Sequence, residues 1–165
     1  EDLGYEVGDK EHFDKIYRDF LDLADRKKEV MDEDLHSLMG ERARNEDALY
    51  TLKATQISCG QPLTPTATVT IADPEGHEHI ACEYGTGPID ALYKAIDKIV
   101  KADCDLSEYS VQSVTRGIDA LGEVTVRIMS ADGEVYSGRG SECDITVSSA
   151  KAYLNALNRM IRKEH

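Results

Sequence analysis

The chain has 165 residues, with 32 Asp and Glu against 19 Lys and Arg, for a formal net charge of -13. That length supports one ordinary domain with a small appendage, and the acidic balance argues against nucleic acid or an anionic membrane as partner, because phosphate recognition rests on clustered Lys and Arg. No apolar run is long enough to span a bilayer and the polar opening Glu1-Asp2-Leu3-Gly4-Tyr5 does not read as a signal peptide, so the expectation is a cytoplasmic protein.

Over residues 11–29, Phe13, Ile16, Tyr17, Phe20, Leu23 and Ala24 fall on one stripe of a helix. A second helix is predicted from Asp32, where Asp32, Glu33 and Asp34 suit a cap and first turn. Leu35, Leu38 and Met39 supply its apolar face, and Gly40 interrupts or ends it. The charged run 41–47 reads as a fraying end or hinge, which places a boundary near Asp47 between a helical subdomain (1–47) and a larger domain (48–165).

Past that boundary the period changes to two. Tyr50, Leu52 and Ala54 alternate with Thr51, Lys53 and Thr55; after the breaker from Gly60 to Pro65, Ala67, Val69 and Ile71 alternate with threonines. Asp73-Pro74-Glu75-Gly76 has the composition of a turn, and 77–84 returns as a third strand with Ile80, Cys82 and Tyr84 on one side. The bend Gly85-Thr86-Gly87-Pro88 then opens a helix, since Pro88 suits a first helical position and the glycines allow a tight approach. Its stripe is Ile89, Leu92, Tyr93, Ile96, Ile99 and Val100. Free N–H groups at such a start suit a carboxylate or phosphate, although a bend of this kind is more often a plain strand-to-helix connection.

The same order then recurs, with strands at 109–114, 123–128 and 134–140, a hairpin turn at Ala131-Asp132-Gly133, and Ser148 capping a closing helix. The two helices align, Ala91 to Val100 against Ala152 to Ile161. A duplication of roughly sixty residues is longer than a usual solenoid period and points to a closed α+β domain. The predicted fold is therefore two pseudo-symmetric βββα units, about 48–102 and 105–163, preceded by a small α-helical linker subdomain. Because the strands alternate, one sheet face is polar or needs a cover, for which a partner subunit is one candidate.

Cys59, Cys82, Cys104 and Cys143 are scattered singly and are expected as buried or half-buried free thiols. His77 and His79 share a strand face and would make half a metal site, but no third ligand lies nearby in sequence and a hairpin flank is where exposed histidines sit. No Ser/His/Asp or Cys/His arrangement can be assembled, so no catalytic residue is assigned. The loop 117–122 is either a simple connection or a pocket wall in which Asp119 faces an ammonium while Ala120 and Gly122 leave room for a branched side chain. Tyr109 is either core or part of that pocket.

Four ordered segments carry a family resemblance: 23–28 with 32–35, then 85–91, 119–124 and 144–152. On these the chain resembles the C-terminal part of the 2-isopropylmalate synthases of leucine biosynthesis, over nearly its whole length. The resemblance implies a helical linker subdomain followed by a regulatory domain of two βββα units that forms a homodimer and binds L-leucine as feedback inhibitor. In the family this region is coupled to a separate TIM barrel, which condenses acetyl-CoA with 2-oxoisovalerate using a divalent metal; this segment has no counterpart of that metal site and implies no cofactor of its own. Carried over by position, the effector site draws on Gly85, Gly87, Ile89 and Asp90 at the bend, Leu106, Tyr109 and Ser113 on the next strand, and Asp119, Ala120 and Gly122 in the loop. Either Asp90 or Asp119 would hold the ammonium. Related citramalate and homocitrate synthases carry similar domains, so isoleucine or another amino acid is the alternative effector, and a purely structural dimerisation domain is the alternative role.

Overall fold

A computed structural model describes residues 49–113 and 121–164, together with Asp14, Tyr17, Arg18, Phe20 and Leu21. Those five are helical, and Tyr17 stacks on Phe20 with ring centroids 6.5 Å apart. The second helix expected from Asp32, the hinge at 41–47, Asp119 and Ala120 lie outside the described residues.

Strands β1 (Thr51–Ser58), β2 (Thr66–Ala72) and β3 (Glu78–Tyr84) form an antiparallel sheet in the order β1-β2-β3 and lead into helix α1 (Pro88–Val100). Strands β4 (Cys104–Ser113), β5 (Gly122–Ser130) and β6 (Val135–Glu142) form a second antiparallel sheet in the order β4-β5-β6 and lead into α2 (Ile145–Glu164). The fold is thus α+β, a βββα unit twice over. One core joins them: Val69, Ile71, Leu92 and Ile96 from the first unit and Val124, Val126, Ile128, Leu157 and Met160 from the second. Each fully buried aliphatic side chain contributes about 1.5–3 kcal/mol.

Period-two alternation fails in the first strand of each sheet, β1 and β4, for one shared reason. In β1 the register steps from Leu52 opposite Ile71 to Ala54 opposite Thr70, so Lys53 bulges out. Thr55 and Ile57, not Ala54, then lie opposite the buried Val69 and Ala67. In β4 it steps from Leu106 opposite Ile128 to Glu108 opposite Arg127, which makes Ser107 the bulge. An extra residue reverses every face beyond it. β4 also begins well before Tyr109, because pairing to β5 carries the polar stretch from Cys104 into the ladder. In β3 the apolar side is the outward one: Ala81 faces the helix, while Ile80 is 73% and Tyr84 67% exposed.

Pro88 opens α1 behind the extended Gly87, and Lys101 closes it in the left-handed conformation (φ 54°), its N–H donating to the Asp97 carbonyl at 2.8 Å. α2 starts earlier than predicted. Its cap is Asp144, whose Oδ1 accepts from Thr146 N and Oγ1 at 2.8 and 2.7 Å. Ser148 is instead wholly buried, accepting from Glu142 N at 2.8 Å and donating to the Asp144 carbonyl at 3.1 Å. The cysteines also differ from expectation. Cys59, Cys82 and Cys143 are exposed and only Cys104 is partly buried, since the strand ends and outer faces that carry them are uncovered.

Candidate functional site

The two units differ most in how their first strands are covered. The matching bulges put Tyr50 of one unit in the place of Cys104 of the other, and the aligned helices put Asn158 in the place of Asp97. Asn158 accepts from Tyr50 N and donates to Tyr50 O, both at 2.8 Å, so α2 closes over β1. A carboxylate has no hydrogen to donate, so Asp97 cannot make the same pair of bonds to Cys104. Its Oδ1 accepts instead from the Tyr153 hydroxyl at 2.6 Å.

Nor does α2 cover β4. A Cβ on Gly138 would lie 2.0 Å from Ala152 O, and one on Gly140 would lie 2.2 Å from Ser148 O, so only glycine lets α2 rest directly on the backbone of β6. That position leaves the far strand bare. Leu106, Tyr109 and Val111 lie opposite the fully buried Ile128, Val126 and Val124, hence on the helix side of the sheet, yet they are 47%, 38% and 47% exposed.

Helix α1 borders this strip. Near the start of β4 the Cys104 thiol is 4.0 Å from the Tyr153 hydroxyl that bonds Asp97, while in mid-strand the Tyr109 ring meets Tyr93 edge-on at 6.4 Å. Helix and strand therefore run in opposite directions, Asp97 lying toward Cys104 and Tyr93 toward Tyr109. Ser113 pairs with Gly122, where a Cβ would come within 2.5 Å of Ile145 Cδ1. The Ser149 hydroxyl donates to Ile145 O at 2.6 Å, so the Tyr109 hydroxyl, 2.9 Å away, is the donor to Ser149. The Tyr93 hydroxyl is buried with no hydrogen bond of good geometry, and burial first, then the neighbouring Tyr109, push its pKa well above the usual phenol range against a weaker pull from the nearby Ser149 hydroxyl. Tyr93 is thus a neutral donor at the site.

The bend is held from within. Asp90 Oδ2 accepts from Thr86 N at 2.8 Å, Thr86 Oγ1 at 3.3 Å and Lys94 Nζ at 2.8 Å, and these bonds, that of Lys94 first, hold its carboxyl below the usual range. A Cβ on Gly85 would sit 2.5 Å from Ala91 N, so that glycine is needed for the bend to close on the helix. Space above Gly87 is open.

Of the residues singled out in the sequence, Leu106, Tyr109 and Ser113 share one face of β4, with Gly122 across from Ser113, and Ile89 is partly buried against the core. Gly85, Gly87 and Asp90 form the bend at the start of α1. Tyr93, Val111 and Ser149 join them unannounced. Val111 could have been read from its parity with Tyr109 and Ser113, whereas Ser149 arrives only through the fold. The arrangement is an exposed apolar strip on β4, with the Tyr109 and Ser149 hydroxyls bonded to each other and the Tyr93 hydroxyl buried beside them. A separate groove of about 390 Å³ lies along β3, lined by His79, Ile80, Ala81, Cys82, Lys98, Ile99 and Lys101. His79 Nε2 is bonded to Asp73 Oδ2 at 2.8 Å. Among the described residues no cluster of three or more His, Cys, Asp or Glu is placed to hold a metal, and no helix is long and apolar enough to cross a membrane.

Residues 29–161 match the family model described as LeuA allosteric (dimerisation) domain. The chain is 56% identical over 98% of its length to a 2-isopropylmalate synthase from Olsenella uli, of which it covers 31%. It is 47% identical over 98% to one from Prochlorococcus marinus (strain NATL1A), covering 30% of it, and 49% identical over 97% to one from Trichodesmium erythraeum, covering 29%. It spans about a third of the length of these relatives.

Proposed function

From the premise that the chain belongs to the LeuA allosteric (dimerisation) domain family, we propose that it is the regulatory part of a cytoplasmic 2-isopropylmalate synthase, holding two copies together and binding L-leucine as feedback inhibitor. The observation that carries this reading is the bare helix-side strip of β4 facing α1, in a fold whose other half closes the equivalent strip with Asn158. An isobutyl group laid against Leu106, Val111 and Ile89 would remove apolar surface from water. The buried Tyr93 hydroxyl and the open start of α1 offer donors to a carboxylate. Asp90 or Asp119 supplies the charge for the ammonium.

Condensation of acetyl-CoA with 2-oxoisovalerate, and the divalent metal it uses, belong in this proposal to the rest of the enzyme. Feedback then requires that leucine bind one arrangement of the assembled enzyme more tightly than another, since equal affinity shifts nothing. Calorimetric titration with leucine, isoleucine, valine and lysine tests the site. Heat with leucine and not with lysine is expected; a response to isoleucine alone would move the domain to a citramalate branch, and silence toward all four would leave a structural dimeriser.

A further inference from the structure

We infer that two copies of the chain join edge to edge through β3, antiparallel, about a two-fold axis at Ala81; this rests on the reading of the domain as a dimeriser and names the surface that does it. An unpaired strand edge is a template for another strand unless something blocks it. Here three of the four outer strands are blocked. β1 and β4 carry bulges at Lys53 and Ser107. β6 is regular, but α2 caps its free side: Arg159 Nη1 donates to Ser137 O at 2.6 Å and Asn155 Nδ2 to Arg139 O at 2.9 Å.

Among the described residues, β3 has neither defence. Its register to β2 runs unbroken from Glu78 opposite Ala72 to Tyr84 opposite Thr66. The positions of Asn155 and Arg159 are occupied in α1 by Lys94 and Lys98, which bond the side chains of Asp90 and Glu83 instead. The bonds Gly85 N to Pro65 O (3.0 Å) and Asp73 N to His77 O (2.9 Å) bracket the β2–β3 ladder. Hydrogen-bonded pairs alternate in an antiparallel ladder, so the odd-numbered residues of β3 bond β2, while Glu78, Ile80, Cys82 and Tyr84 aim their backbone N–H and C=O outward.

An axis at Ala81 uses all four outward residues twice, setting Ile80 opposite Cys82 of the second copy and Glu78 opposite Tyr84. It also sets His79 opposite Glu83 and puts no like charges face to face. Moving the axis by one residue in either direction preserves the hydrogen-bonding pattern but drops one end of the strand and loses the His79–Glu83 match. The pairing places the exposed Ile80 and Tyr84 in one continuous outer face. It also lays an acidic strand along the groove of about 390 Å³ walled by Lys98, Ile99 and Lys101.

The test is sedimentation velocity of the whole chain over a concentration series, for the parent, Ile80→Pro and Ile80→Lys, with far-UV circular dichroism to verify folding. Proline at 80 removes an outward N–H and no bond to β2, and lysine replaces a side chain that is 73% exposed, so the second variant stands if the first misfolds. Both should weaken dimerisation by roughly tenfold or more. Ile80→Cys, oxidised, should yield a covalent dimer through Cys82 of the second copy. Undiminished dimers in both variants, with no cross-link, would overturn the β3 interface and leave the dimerisation reading intact. A chain monomeric at every concentration would remove both.

Discussion

Asn158 and Tyr50, 108 residues apart in sequence, exchange two hydrogen bonds of 2.8 Å. This pair ties the helix of the second unit to the entry of the first, and it depends on an amide that both donates and accepts. Asn158→Asp keeps the shape and removes the donor, setting a carboxylate against the Tyr50 carbonyl in a site that is 6% exposed. The expected cost is about 1–3 kcal/mol, read as a lower urea midpoint. An unchanged midpoint would show that the pair is incidental.

Gly138→Ala drives a Cβ to 2.0 Å from Ala152 O and 2.4 Å from Ala156 N, both backbone atoms. Overpacking of this kind costs about 1–3 kcal/mol and more where backbone must move. Gly133→Ala, where φ is 82° and no atom lies within 4 Å, should cost only about 1–2 kcal/mol from the left-handed conformation. Thermal melts of the two variants should fall in that order.

Asp97 has its pKa raised by burial, against the pull of the Tyr153 hydroxyl bond. The folded state therefore holds this proton more tightly than the unfolded chain. The associated stability is full below the unfolded carboxylate pKa and is lost as pH rises through the folded value. Asp97→Asn should abolish that decline and be more stable than the parent at neutral pH. It also supplies the donor that Asn158 has and Asp97 lacks. Parallel stability profiles across the acid range would contradict this.

Asp144 has the opposite sign. Its pKa is lowered, chiefly by the Thr146 hydroxyl, so its contribution is present above the unfolded value and lost as pH falls through the folded one. Asp144→Ala should cost about 1 kcal/mol at neutral pH, as the loss of a helix cap does, and less at low pH.

Leucine at a hundred times its dissociation constant should stabilise the parent by about 2.7 kcal/mol. Val111→Lys should fold, since Val111 is 47% exposed, and lose that stabilisation by putting a charge in the apolar slot. Tyr109→Phe, which removes the bond to Ser149, should retain part of it. A full thermal shift in Val111→Lys would place the effector elsewhere.

Local chemistry was legible where it acts alone. Pro88 and Gly87 announce α1, and Asp73 to Gly76 announces its turn, with Gly76 at φ 87°. The alternation of Ala67, Val69 and Ile71 in β2 was legible too, but the faces of β1 and β4 were not, because one inserted residue at Lys53 or Ser107 reverses parity without any mark in composition. The start of α2 was misplaced because Ser148 resembles a cap as well as Asp144 does, and only burial separates them. Of the candidate site, the β4 residues were placed by family position. Tyr93 belongs to the core stripe of α1 as well as to the candidate site, and Ser149 reaches Tyr109 only because α2 lies on Gly138 and Gly140. Those alternating glycines in a strand were the available signal of a close helix.

Tyr109, Tyr93 and Tyr153 form a row of rings, edge-on at 6.4 Å and then stacked at 4.2 Å, crossing the seam between the duplicated halves. A guest that displaces Tyr109 presses on Tyr93, and through it on the ring whose hydroxyl is anchored to Asp97. The seam itself, rather than either half, is therefore the natural place to look for strain when the slot is filled.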